Sequence, residues 1–211
     1  MYTLNRSRGV NPAHTTDAIE WAAAVAARVR EVTGKHIDAW VRVMSPDAGT
    51  LSWSCWDETL RNIEAIVEVL DTEGGVAKLT ASMETALVGP IKDCVFANLH
   101  GHHTWVQGEH GKSYVLFVHA TIESGRFAQA LVSGKRIAEY ASSATGRNTA
   151  FMLNFTGAYN GVRWATGYPD IDSVDQSERI LMDDPEWHAL LSSAGIDFRP
   201  AKERMLQRRL T

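Results

Sequence analysis

HIDAWVRVM, residues His36–Met44, alternates strictly. Ile37, Ala39, Val41 and Val43 fall on one side of an extended chain, and Asp38, Trp40, Arg42 and Met44 on the other. Successive side chains of a strand point to opposite faces, so the apolar set predicts a face buried against helices. A second stretch, Asn148–Thr156, repeats the pattern with Thr149, Phe151, Leu153 and Phe155 on the apolar side. The two lie 112 positions apart, and that offset recurs along the chain. Tyr2 and Leu4 match Tyr114 and Leu116, Thr33-Gly34-Lys35 matches Thr145-Gly146-Arg147, and Gly49 matches Gly161. Trp53 meets Trp164 after a one-residue deletion, and Asp71 and Leu79 return to register with Asp183 and Leu191.

The flanking segments repeat as well. Tyr2–Val10 and Ser113–Ile122 read as strands. Thr15–Val32 carries Ile19, Ala22, Ala26 and Val29 at helical spacing and stops at Gly34, and Gly125–Ala144 stops at Gly146 in the same way. Turns at Ser45–Gly49 and Gly157–Gly161 lead to second hairpin strands, Thr50–Trp56 and Val162–Gly167. Helices are predicted over Glu58–Leu70 and Ile171–Met182, shorter ones near Val76–Met83 and Pro185–Ser193, and closing strands over Ile91–Leu99 and Lys202–Leu210. Each half is β-α-β-β-α-β, a ferredoxin-like unit whose helices cover one face of its sheet. The fold expected is α+β: tandem duplicated ferredoxin-like units forming an intramolecular α+β barrel. Residues 1–99 are the first unit, 100–112 a histidine-rich linker, and 113–211 the second unit.

Composition narrows the classes. The 211 residues are 45% hydrophobic and 22% charged, an ordinary globular mix rather than a disordered one. Net charge is −4, against nucleic-acid binding, and the basic residues Arg199, Lys202, Arg204, Arg208 and Arg209 lack stacking aromatics beside them. The longest apolar run, Trp21–Ala27, is far below the roughly 20 residues that span a bilayer. Two cysteines, Cys55 and Cys94, build no disulfide framework, and Met1–Val10 shows no signal peptide. A reduced, cytoplasmic protein without membrane or nucleic-acid partners is expected, with a homodimer left open through edge strands such as Lys202–Leu210. Seven tryptophans suit a pocket for a flat ligand as well as they suit a core.

Candidate chemistry lies on the face away from the helices. Asp38 and Arg42 are four residues apart on one face, roughly 13 Å along a strand, so they would hold opposite ends of one ligand. An aspartate in a low-dielectric site can act as a general base, and an arginine can stabilise an oxyanion. His119, in phase with Val115 and Phe117, is the other candidate base. Asp38, His119 and Arg42 are therefore the catalytic candidates, with Trp40, Trp53, Asn5, Asn154 and Trp164 as substrate contacts. The bland alternative is that these polar groups satisfy one another. No metal or other cofactor is expected. The linker residues His100, His102 and His103, with Glu109 nearby, are the ones that would supply a metal site.

Gly161-Val-Arg-Trp164, Tyr168-Pro-Asp170, Arg179-Ile-Leu181 and Asp183-Asp-Pro-Glu-Trp187, with the echo Gly49-Thr-Leu-Ser-Trp53, Leu60 and Asp71, carry a family likeness. Through them the chain resembles the dimeric α+β barrel superfamily, nearest to NIPSNAP-like proteins and antibiotic-biosynthesis monooxygenases. That superfamily includes cofactor-independent oxygenases, polyketide cyclases, isomerases, haem enzymes and binding proteins. The resemblance implies a cofactor-independent monooxygenase or cyclase acting on an aromatic or polyketide-like small molecule. The alternatives are a non-catalytic NIPSNAP-like ligand-binding or interaction protein, and a metal-binding protein using the linker histidines.

Overall fold

The computed structural model describes residues 1–101 and 113–211. The described chain runs β1 (Tyr2–Val10), α1 (Thr15–Thr33), β2 (Asp38–Val43), β3 (Leu51–Asp57), α2 (Leu60–Thr72), α3 (Gly74–Ala81) and β4 (Leu87–His100). It then repeats the order as β5 (Tyr114–Ile122), α4 (Phe127–Thr145), β6 (Thr149–Asn154), β7 (Gly161–Tyr168), α5 (Ile171–Met182), α6 (Pro185–Ala194) and β8 (Phe198–Arg209). The strands hydrogen-bond in the order β1-β3-β2-β8-β5-β7-β6-β4, which closes on itself as a barrel. The β1–β3, β2–β3, β5–β7 and β6–β7 pairs are antiparallel. No helix among the described residues is long and apolar enough to cross a membrane.

Two compact units divide the chain: Met1–Phe96 with Gln207–Thr211, and Ala97–Leu206. In the first, the alanine-rich face of α1 (Ala18, Ala22, Ala26) lets the helix approach the sheet closely, and Ile37, Ala39 and Val41 pack beneath it. In the second, Ala130 and Ala138 of α4 lie over Phe151, Val162 and Trp164. Gly134 belongs to this contact. A Cβ there would run into the ring of Phe151, so glycine is kept in mid-helix despite a propensity cost of about 1 kcal/mol.

Local hydrogen bonds repeat between the units. Thr33 donates to the Val29 carbonyl at 2.7 Å and accepts from the Lys35 amide at 3.1 Å, around Gly34 at φ 65°. Thr145 donates to Ala141 at 2.6 Å and accepts from Arg147 at 3.2 Å, around Gly146 at φ 66°. Both glycines take the left-handed conformation that ends a helix. A second repeated device joins each long helix to the short one. Glu73 caps α3 through the Val76 amide and receives Arg28 at 2.7 Å. Asp184 caps α6 through the Glu186 amide and receives the Tyr140 hydroxyl at 2.6 Å. The place is the same and the donor differs.

The closing strands are longer than the expected Ile91–Leu99 and Lys202–Leu210. β4 begins at Leu87, before Gly89 (φ 71°) and Pro90, and β8 begins at Phe198. Residues 88–93 are all exposed, so no burial period marks them as strand.

The Arg28 hydrogen bond, with the α3 cap, holds the Glu73 carboxyl at about 2, well below its ordinary 4.5. A carboxyl depressed by folding stabilises the native state fully above its unfolded value and loses that contribution as pH falls through the folded one. The urea-midpoint gap between wild type and Glu73→Gln is therefore expected to be largest near neutral pH and to close between pH 4.5 and about 2. A gap independent of pH would contradict this assignment.

Candidate functional site

In the first unit, the face of the sheet away from the helices is polar. Register aligns Asn5, Ser54 and Asp38 across β1, β3 and β2, with Ser7, Ser52 and Trp40 in the adjacent row. The Trp40 indole donates to Ser54 Oγ at 2.8 Å, and Ser52 donates to Gln207 Oε1 at 3.2 Å. Asp38 Oδ1 lies 2.6 Å from Arg209 Nη2 and 2.9 Å from His36 Nε2. Arg42 turns instead to the β2–β3 hairpin, contacting the Pro46 carbonyl and Asp47 Oδ2, each at 3.4 Å. Asp38 and Arg42 thus share a face, as the alternation requires, but each has its own partners. They are not poised as two free ends for one ligand.

In the second unit, the corresponding face carries an imidazole and a guanidinium side by side. His119 of β5 is the register partner of Arg163 on β7, and Met152 of β6 faces Arg163 from the other side. The Arg163 guanidinium lies 5.0 Å from the Phe117 ring centre, and the Phe117 and His119 rings meet edge-on at 6.4 Å. Direct cross-strand neighbours have Cβ atoms about 5 Å apart, so His119 and Arg163 can address one small ligand. Asn154 donates to the Ala158 carbonyl at 3.1 Å, bracing the β6–β7 turn much as Arg42 braces β2–β3.

Trp53 and Trp164 correct the expectation. Both lie on the helix-covered face, because register pairs Trp53 with Ala39 and Trp164 with Phe151, whose side chains already point there. The Trp53 indole donates to the Ala22 carbonyl at 3.0 Å, and Trp164 to Gly134 at 2.8 Å. Trp53 meets Trp21 edge-on at 5.0 Å, and Trp164 stacks on Phe151 at 5.3 Å. They tie sheet to helix and are not ligand contacts.

Sequence reasoning passed over His36, Arg209 and Arg163. His36 was readable from its phase with Asp38, and Arg163 from its phase on β7. Arg209 was not, lying 173 positions from His36. Cys55 is no nucleophile, since burial, aided by Asp57, pushes its thiol up to about 12. His100 ends β4, whereas His102, His103 and Glu109 lie outside the described residues. Among the described residues no three His, Cys, Asp or Glu side chains gather as metal ligands.

No protein-family model matches the chain, and no curated protein does. Solved structures do. A candidate monooxygenase of Fusobacterium nucleatum subsp. nucleatum aligns at TM-score 0.71 and 9% identity, over 100% of this chain and 92% of its own. An anthrone oxidase-like protein aligns at 0.65 and 10% identity, over 98% and 90%. A chlorite dismutase mutant of Candidatus Nitrospira defluvii aligns at 0.55 and 11%, over 99% and 90%. This chain shares their fold. Such low identities establish architecture and leave the chemistry to the residues.

Replacing each indole by a phenyl ring tests the tryptophan assignment. Trp53→Phe and Trp164→Phe are each expected to destabilise by about 1–3 kcal/mol in urea unfolding, from one lost buried hydrogen bond and a small cavity. Unchanged midpoints would mean that the indoles do not anchor the helices.

Proposed function

We propose that this protein is a monooxygenase-type enzyme whose sequence is two tandem ferredoxin-like repeats, 1–99 and 113–211, joined by 100–112, with residues 207–211 grouping with the first compact unit. It oxygenates a flat aromatic or polyketide-like small molecule in the cytoplasm without a bound cofactor. The observation that carries the reading is the pairing of His119 with Arg163 beside the Phe117 ring. His119 takes a proton from an activated CH2 of the substrate, and Arg163 stabilises the oxyanion form of the resulting carbanion. Phe117 offers the substrate ring an apolar edge. The carbanion gives its electrons to dioxygen and bonds to it, and His119 returns the proton to the peroxide. Loss of water leaves a ketone, so CH2 + O2 becomes C=O + H2O. The architecture shared with a candidate monooxygenase and an anthrone oxidase-like protein supports this choice among the chemistries of the fold.

A second reading, a non-catalytic NIPSNAP-like binding protein, is favoured by the mutual satisfaction of Asp38, His36 and Arg209, and of Ser52 and Gln207. Oxygen uptake with an anthrone as substrate separates the two. Turnover is expected, with His119→Ala lowering kcat by about 10²–10⁴-fold and Arg163→Met also impairing it. Full turnover in both variants would remove these residues from the chemistry. Anthrone bound and released unchanged by wild type would establish the binding protein instead.

A further inference from the structure

The first unit holds a hydrogen-bonded group that the proposed oxygenation does not use. His36 Nε2 is 2.9 Å from Asp38 Oδ1 and 3.4 Å from Arg209 Nη2. A carboxylate can only accept and a guanidinium can only donate, so the two contacts ask opposite things of that nitrogen. The shorter, charge-assisted contact prevails, which puts the hydrogen on Nε2. In the neutral ring, Nδ1 is then the bare acceptor. Asp38 is itself fixed, because Arg209 Nη2 grips the same Oδ1 at 2.6 Å. Arg209 is fixed in turn by the segment that carries it. The Leu210 amide donates to the Ala39 carbonyl at 2.8 Å, and Arg30 donates to Thr211 Oγ1 at 2.8 Å.

The surroundings suit a ligand rich in hydroxyls. Asp38 shares its row with Ser54 and Asn5, and Trp40 stands next in phase along β2. The His36 side chain keeps 25% of its surface exposed and Asp38 20%, so the pair is structured yet reachable.

We propose that His36 Nδ1 is a second proton-accepting site, one that binds the acidic hydroxyl of a phenolic ligand, with Asp38 and Arg209 as positioning residues. The step moves one proton from the ligand O–H to Nδ1. It leaves a phenolate beside an imidazolium that keeps its Nε2–H bond to Asp38. This assigns Asp38 a role other than that of the base itself. The site deepens the reading above by naming phenols as the ligand class, but its geometry does not depend on His119.

Imidazole 15N shifts of uniformly labelled, full-length protein test it without turnover. At a pH where the ring is neutral, His36 is expected as the Nε2–H tautomer, and Asp38→Asn should abolish that preference. Adding 1,8-dihydroxyanthraquinone, which lacks a CH2 to oxygenate, should shift Nδ1 of His36. His36→Gln should weaken binding of this probe about tenfold or more, the worth of one charge-assisted hydrogen bond. An Nδ1–H tautomer in wild type, or unchanged probe affinity in His36→Gln, would overturn the proposal. The triad would then only fasten residues 207–211 to β2. Loss of oxygen uptake in His119→Ala alongside unchanged probe affinity in His36→Gln would sink this site alone. The reverse pair of results would sink the oxygenation reading alone.

Discussion

Burial of one face of each sheet is the constraint on which the remaining structure depends. Once Ile37, Ala39 and Val41 are committed to the cover of α1, every other residue of β2 must face away from it, whatever its chemistry. Register then extends the choice to neighbouring strands, so Trp53 goes under the helix and Ser52 and Ser54 do not. The indole-to-carbonyl bonds, Trp53 to Ala22 and Trp164 to Gly134, fasten the covered face at the same place in both units. Polar side chains gather on the opposite face because the alternation leaves them no other.

Within this shared frame the two units differ in chemistry. Where one has Ser7 and Ser52, the other has His119 and Arg163. Where one caps and ties its short helix with Glu73 and Arg28, the other uses Asp184 and Tyr140. Ser133 donates to Asp197 at 2.6 Å in the second unit, whereas the position matching Ser133 in the first is Trp21, whose buried indole N–H finds no acceptor among the described residues. Backbone hydrogen bonds and helix ends tolerate such changes because they depend on conformation, whereas side-chain pairs must change together.

Most of the fold was legible in the sequence for the same reason. The alternation of His36–Met44 and the glycines after Thr33 and Thr145 are local signals with local causes, and the helices and hairpins follow them within a few residues. The long first portion of β4 was not legible, since an exposed stretch interrupted by Gly89 and Pro90 carries no period. The candidate site was legible only as a set of phases. Asp38, Trp40, Arg42 and His119 lie on the face expected of them. What Asp38 touches depends on Arg209, brought to it by tertiary pairing that no local pattern encodes. The face of Arg163 could be read from its phase, but its register partnership with His119 could not, and the faces of Trp53 and Trp164 emerge only from the pairing of β3 with β2 and of β7 with β6.

The most direct measurement is ligand-induced shift mapping on protein labelled with 15N at tryptophan, histidine and arginine side chains. With a tricyclic phenolic ligand added, the His119 imidazole and the Arg163 Nε–H signals should move, while the Trp53 and Trp164 indole signals stay fixed. Indole signals that move while His119 and Arg163 remain still would contradict the account, because ligand binding would then occur on the helix-covered face.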